Sequence, residues 1–114
     1  RMASASRRCG RCAADARTLF PLTRKKWEKE KLTGKALYDF AEVQARKMGW
    51  ELNLDLSGHR ISDFPHAAVY EGGMNVVDFT PSPLLWVLEI HIRDPEMKLG
   101  AFYEDMLLDD SYFA

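Results

Sequence analysis

The chain has 114 residues, of which 46% are hydrophobic and 29% are charged, and its formal net charge is −1. This length and composition predict one globular domain with a core of its own. A net charge near zero gives no overall attraction to nucleic acid or to a membrane surface. No apolar run approaches the roughly 20 residues that a membrane span needs, so no membrane association is expected.

The charges are unevenly distributed along the chain. Residues 1–31 carry ten Lys and Arg against three acids, and residues 93–114 carry six acids against two basic residues. Solvated helix faces explain such runs, and nucleic-acid binding by the basic segment ranks last among our hypotheses. With two cysteines, no disulfide framework and no signal peptide, a reducing, cytoplasmic location is expected.

The first predicted element is a helix over residues 5–20, whose apolar residues recur on one face. Pro21 is expected to end or kink it, because proline lacks an N–H and crowds the preceding turn. Cys9 and Cys12 form a C-x-x-C pattern on the apolar face, without the second ligand pair of a zinc finger or the preceding strand of a thioredoxin motif. Packing is therefore their expected role, and a redox or metal role is the alternative.

A second helix is predicted over residues 34–48, with Thr33 as its N-cap and Gly49 as its C-terminal stop. Its inner face is expected to contain Leu37, Phe40, Ala41 and Met48. After Gly49 the apolar period changes from 3.6 to 2, which predicts strands. The predicted strands cover residues 50–56, 67–70, 75–79, 84–92 and 101–108, with a hairpin joining the second and third. Two helices followed by mostly antiparallel strands indicate an α+β fold, with a helical basic segment over 1–32 and the domain core over 33–110.

The candidate chemistry lies in the strand region. The segment from Gly58 to His66 contains two imidazoles seven residues apart, in a loop that begins with glycine and closes with Pro-His. Glu89 and Glu104 lie inside apolar strands, where a carboxylate is costly to bury without a positive partner. If these strands are neighbours, both carboxylates point into one pocket, and imidazole with carboxylate ligands suits Zn, Mn, Fe or Co. The alternatives are that both acids lie on solvated faces and that His59 and His66 are structural, hydrogen-bonded residues.

At these residues the chain resembles the pita-bread metallopeptidases, the family of methionine aminopeptidase, prolidase and creatinase. It looks closest to small bacterial members described as Xaa-Pro peptidases. The resemblance spans roughly residues 30–108. Its motifs are Leu-Ser-Gly-His-Arg-Ile at 56–61, Asp-Phe-Pro-His at 63–66, Trp-Val-Leu-Glu-Ile-His at 86–91 and Gly-Ala-Phe-Tyr-Glu-Asp at 100–105. The helix that begins Thr-Gly-Lys-Ala-Leu-Tyr-Asp-Phe-Ala at 33–41 also resembles the family.

The resemblance implies a role for each matching residue. His59 and Glu89 would bind a divalent metal (Mn, Co, Zn or Fe), and Glu104 would bridge two ions if the missing half of the fold is supplied. His66 would be catalytic, contacting the peptide or dipeptide substrate and stabilising the tetrahedral intermediate. His91 would support the metal ligands without binding the metal itself. The family uses metal-activated hydroxide to hydrolyse N-terminal peptide bonds, including those of Xaa-Pro dipeptides.

The sequence departs from the family in one respect. The pita-bread fold has two related halves, and two Asp ligands come from the first half. Asp15, Asp39 and Asp55 do not occur in that strand context, so the chain offers three of five expected ligands. A C-terminal half of a longer metallopeptidase is therefore predicted, weakly active or inactive alone. The alternatives are a half completed by another chain, and an inactive half-domain that uses the apolar face of its first helix for protein interaction or homodimerisation.

Overall fold

A computed structural model of the chain describes residues 2–60, 73–81, 86–96 and 99–112. The helices are α1 (Met2–Glu30) and α2 (Gly34–Lys47). The strands are β1 (Glu51–Leu52), β2 (His59–Arg60), β3 (Trp86–Arg93) and β4 (Gly100–Met106). They form one antiparallel four-stranded sheet, in which β4 pairs along one edge of β3 while β1 and β2 pair with opposite ends of its other edge. The predicted α+β class, with two helices on an antiparallel sheet, is confirmed.

Helix α1 continues without a break through Pro21, so the predicted end at this residue is wrong. Pro21 is exposed, whereas Leu19 and Phe20 before it and Trp27 after it are buried. Because the buried face continues past the proline, packing against the rest of the protein offsets the hydrogen bond that proline cannot make. The helix ends before Lys31, whose φ is 52°.

Helix α2 matches its prediction to within one residue. The Thr33 hydroxyl accepts a hydrogen bond from the Ala36 N–H at 3.1 Å, which confirms the N-cap. Gly49 follows the helix with a φ of 89°, a conformation that favours glycine. The buried face is formed by Gly34, Leu37, Tyr38, Ala41 and Ala45. Phe40 and Met48 are only half-buried, so the predicted inner face is correct in part.

The strand predicted over residues 50–56 forms only as the two-residue β1. Leu54–Leu56 form a 3₁₀ turn instead, and the Asn53 side chain accepts a hydrogen bond from the Asp55 N–H at 3.0 Å. Local side-chain bonding by asparagine therefore competes with strand pairing at this point.

The strand predicted over residues 75–79 is also absent from this part of the structure, where Met74–Val76 form a 3₁₀ turn. The carbonyls of Val77 and Phe79 accept hydrogen bonds from the first N–H groups of α2, at 2.9 and 3.0 Å. These carbonyls therefore satisfy the N-terminus of α2 rather than a neighbouring strand. The predicted strand over 67–70 and its hairpin turn lie outside the described residues.

The core lies between the two helices and one face of the sheet. Strand β3 contributes four alternate residues that are at most 3% exposed: Trp86, Leu88, Ile90 and Ile92. Alternation along β3 thus buries the face that the sequence predicts. The opposite face of β3, together with the β4 residues paired with it, is called the open face below. On it, Val87, Glu89, His91 and Arg93 are half-buried.

The apolar face of α1 belongs to this same core. Cys12, Ala16 and Leu19 have no exposed surface, so the predicted packing role of Cys12 is confirmed. The side chain of Cys9 lies outside the described part of the chain. From Cys12 to Phe20, the apolar face of α1 is buried against the chain's own sheet, so this part of the face is not free to bind a partner. Among the described residues, no helix combines the length and apolar character needed to cross a bilayer.

Candidate functional site

All three predicted metal ligands lie on the open face. Glu89 on β3 lies directly opposite Glu104 on β4. Residues directly opposite in an antiparallel pair project to the same side of the sheet. His59 on β2 lies opposite Val87, two residues along β3 from Glu89, so it shares this side. Three neighbouring strands therefore contribute one predicted ligand each.

The three side chains interact electrostatically. The pKa of Glu89 is raised above its ordinary value, first because the carboxyl is partly buried and second because Glu104 carries the same charge nearby. His59 acts on the pKa of Glu89 in the opposite direction. A divalent cation between the carboxylates would remove the repulsion that Glu104 exerts on Glu89.

The same side chains do not form a closed chelating cluster. Within residues 2–60, 73–81, 86–96 and 99–112, no group of three or more His, Cys, Asp or Glu is arranged to hold a metal ion. His59 and Glu104 are both exposed at the surface of the open face. One imidazole and two carboxylates are a suitable donor set for Mn, Co, Zn or Fe, so the residues fit the metal by type and by face.

His91 lies on the same face, next along β3 from Glu89. Its Nδ1 atom is buried and has no hydrogen-bond partner among the described residues. Its ring centroid lies 6.3 Å from that of Phe102, the residue opposite it on β4. Burial lowers the pKa of His91, and Arg93 acts in the same direction. A neutral imidazole is the form expected of a residue that supports metal ligands, and this role stays a prediction.

His66 lies outside the described residues, so its catalytic role stays a prediction. Asp15, one of the acids that do not occur in the strand context of the family's Asp ligands, accepts a hydrogen bond from the Trp50 indole N–H at 2.7 Å. The Arg11 guanidinium lies 4.7 Å from the centre of the Trp50 ring. Asp15 therefore joins α1 to Trp50, the residue before β1, and its carboxylate has a structural partner.

Sequence reasoning missed Tyr38, which contacts the backbone of the site from the core side. Its hydroxyl donates to the Glu89 carbonyl and accepts from the Gly58 N–H, both at 2.6 Å. The spacing of Tyr38, Ala41 and Ala45 along α2 is i, i+3, i+7, a pattern that places all three on one helix face. This spacing is the signal that could have identified Tyr38 as a buried residue.

Comparisons with known proteins identify no relative of this chain. No family model matches the sequence, no curated protein matches it, and no solved structure matches it. The pita-bread family assignment therefore stays a prediction from the sequence.

Proposed function

We propose that this chain is the C-terminal catalytic half of a divalent-metal-dependent peptidase of the pita-bread type. Its substrates would be peptides cleaved at the N-terminal bond or Xaa-Pro dipeptides. The observation that supports this proposal best is the direct pairing of Glu89 with Glu104 across β3 and β4, with His59 on the same face. Two carboxylates and an imidazole from three neighbouring strands thus lie on one face of the sheet.

Each residue has a role in this proposal. His59 and Glu89 would hold one metal ion, and Glu104 would share its carboxylate with a second ion if the other half of the site is supplied. His66 contacts the substrate and stabilises the tetrahedral intermediate. When bound, the metal supplies an activated water at neutral pH and polarises the scissile carbonyl.

The proposal also accounts for the open face as a whole. The half of the fold that bears the two missing Asp ligands would cover this face, either from the same native protein or from another chain. The chain of 13.1 kDa would then be inactive or weakly active by itself. A native protein with an intact mass of about twice this value would be long enough to contain the two missing Asp ligands.

Metal binding by the 114-residue chain tests the site directly. The chain is titrated with Mn²⁺ or Co²⁺ by calorimetry, alongside His59→Ala, Glu89→Gln and Glu104→Gln. Each substitution removes one ligand and should weaken binding by about tenfold or more. Asp39→Asn, which changes an exposed acid on α2, serves as the matched control and should bind as the wild type does. Equal affinity of the wild type and His59→Ala would rule out the site.

Apolar side chains on the open face favour a second candidate function, that of an inactive half-domain that forms homodimers. Phe102 is 59% exposed and Met106 is 37% exposed. Light scattering over a range of concentrations tests this alternative, with Phe102→Ser as the disrupting variant. Self-association that Phe102→Ser abolishes would support it, and a wild type that stays monomeric at high concentration would exclude it.

A further inference from the structure

Strands β1 and β2 lie along one edge of β3 in two different registers. Leu52 is opposite Ile92, and His59 is opposite Val87. Six residues, 53–58, therefore stand across from only four residues of β3, 88–91. The 3₁₀ turn at Leu54–Leu56 accommodates the extra residues on this edge. The regular ladder is thus interrupted beside Glu89, at the point where two predicted ligand-bearing strands meet.

The first consequence concerns the Glu89 carbonyl. The β1 register continues as far as the Asn53 N–H, which donates to the His91 carbonyl at 2.8 Å. Continued by two more residues, this register would bring the Asp55 N–H to the Glu89 carbonyl. The Asp55 N–H instead donates to the Asn53 side chain at 3.0 Å. The Glu89 carbonyl therefore needs a donor from outside the ladder.

Tyr38 supplies that donor. Its hydroxyl donates to the Glu89 carbonyl and accepts from the Gly58 N–H, at 2.6 Å in each case. The side chain reaches this point from α2 and is 2% exposed. Burial raises the pKa of the phenol, which keeps its proton available for donation to the carbonyl. One hydroxyl thereby links the Gly58 backbone to the Glu89 backbone at the point where the ladder is interrupted.

The close packing of Gly58 restricts where the backbone of the next residue, His59, can lie. A Cβ atom at Gly58 would lie 2.3 Å from the Val87 carbonyl oxygen, so the two backbones are in close contact. Gly58 directly precedes His59, and Tyr38 holds its N–H. The Tyr38 hydroxyl therefore adds to the β2–β3 pairing a direct link between the backbone next to His59 and the backbone of Glu89.

We infer that Tyr38 is a positioning residue for the proposed metal site: its hydroxyl fixes the Gly58 backbone, and so His59, relative to Glu89. The inference rests on the proposed function. Tyr38 itself contacts neither metal nor substrate. The metal affinity of the site nevertheless depends on its hydroxyl, which lies on the core side of the sheet.

The test compares two substitutions that each remove one buried side-chain donor to a backbone carbonyl. Tyr38→Phe removes the hydroxyl. Trp27→Phe, the matched control, removes the indole N–H that donates to the Pro81 carbonyl at 2.8 Å, and Trp27 is 4% exposed. Mn²⁺ affinity is measured by calorimetry for the wild type, both variants and His59→Ala, below the unfolding temperature of each. The absorption spectrum of bound Co²⁺ is recorded in parallel.

We expect Tyr38→Phe to weaken Mn²⁺ binding by about tenfold and to change the Co²⁺ spectrum, because partners that orient metal ligands have effects of this size. Trp27→Phe should stay within about twofold of the wild type, since its hydrogen bond orients no proposed ligand. If His59→Ala weakens binding while Tyr38→Phe behaves as Trp27→Phe does, the inference is wrong and the proposed function stands. If His59→Ala binds as the wild type does, both fail.

A measurement on the wild type covers the case in which Tyr38→Phe does not fold. Zn²⁺ binding should stabilise the bridged arrangement and slow hydrogen exchange at the Gly58 amide by about tenfold more than at the Trp27 indole. Equal slowing at both positions, or none at Gly58, would overturn the inference.

Discussion

Glu89 and Glu104 occupy directly opposite positions on β3 and β4, so two like charges share the open face. Partial burial is the larger cause of the raised pKa of Glu89, and the charge of Glu104 is the next. The folded chain therefore holds a proton on Glu89 more tightly than the unfolded chain does. The stability that this group contributes is present below its ordinary pKa of 4.5 and is lost as the pH rises through the raised value.

The first prediction is that Glu89→Gln stabilises the metal-free protein at pH 7. Like charges directly opposite in a sheet are destabilising by about 0.2–1 kcal/mol, so the melting temperature should rise by about 1–5 °C. Circular dichroism with a chelator present measures the change, and Asp78→Asn, at an exposed acid off the sheet, should have little effect. At pH 4 the gain should shrink as Glu89 takes up a proton. A Glu89→Gln protein no more stable than the wild type at pH 7 would contradict the prediction.

The second prediction concerns two glycines with opposite surroundings. At Gly58, a Cβ atom would lie 2.3 Å from the Val87 carbonyl oxygen and 2.9 Å from Met74 Cε, and the backbone oxygen cannot move aside cheaply. Gly58→Ala should therefore lower the free energy of unfolding by about 3 kcal/mol. Gly10 lies inside α1 with nothing within 4 Å of a built Cβ, so Gly10→Ala should raise it by about 0.5–1 kcal/mol. Urea denaturation measures both, and a Gly58→Ala protein as stable as the wild type would show that β2 is not held against β3 as described.

The third prediction is that Pro21→Ala stabilises the protein by about 1–3 kcal/mol, because it restores an N–H donor inside a continuous helix. Pro21 is exposed, so the change creates no buried cavity. Leu22→Ala, at the next and also exposed position, controls for substitution in this turn. Urea denaturation is again the measurement. A loss of stability would contradict the prediction and would mean that the proline ring itself contributes to the packing of α1.

The fourth prediction concerns the C-terminal turn. Asp110 accepts hydrogen bonds from Lys25 Nζ at 2.6 Å and from Arg24 Nη2 at 3.1 Å. Lys25 first, and then Arg24, lower the pKa of Asp110 to about 2. The contribution of Asp110 to stability is present above its ordinary pKa of 3.8 and is lost as the pH falls through about 2.

Carbon-13 NMR of the Asp110 carboxyl measures this pKa directly. Lys25→Gln should move the titration towards the ordinary value, whereas Lys29→Gln, at an exposed lysine on the same helix, should leave it unchanged. Because the carboxylate is exposed, the effect on melting temperature should be small and should decrease with salt. A wild-type titration near 3.8 would show that the contact is not maintained in solution.

Local sequence signals predicted those parts of the fold in which one residue type decides the structure. The Thr33 cap, the positive φ of Gly49 and the alternation of β3 follow from side-chain chemistry and from the period of 2. Alternation also placed Glu89 on the face opposite the core, and the pairing of neighbouring strands then placed Glu104 beside it.

The features that sequence reasoning missed depend on contacts between distant segments. Pro21 stays helical because buried residues on both sides of it pack on the same core. The carbonyls of Val77 and Phe79 bind the N-terminus of α2 instead of forming a strand. The bridge from Tyr38 to Gly58 and Glu89 joins residues 20 and 51 positions apart in the sequence, which no local pattern specifies.

The hydrogen bond from Arg24 to the Leu108 carbonyl joins residues 84 positions apart, and Leu107 beside it is fully buried. During synthesis α1 leaves the ribosome before β3, β4 and Leu107 do. Until these later elements emerge, the apolar face of α1 has no sheet to pack against. The nascent chain is therefore expected to expose an amphipathic helix while the residues between α1 and β3 are made, and α1 is expected to pack only after β4 and Leu107 have been synthesised.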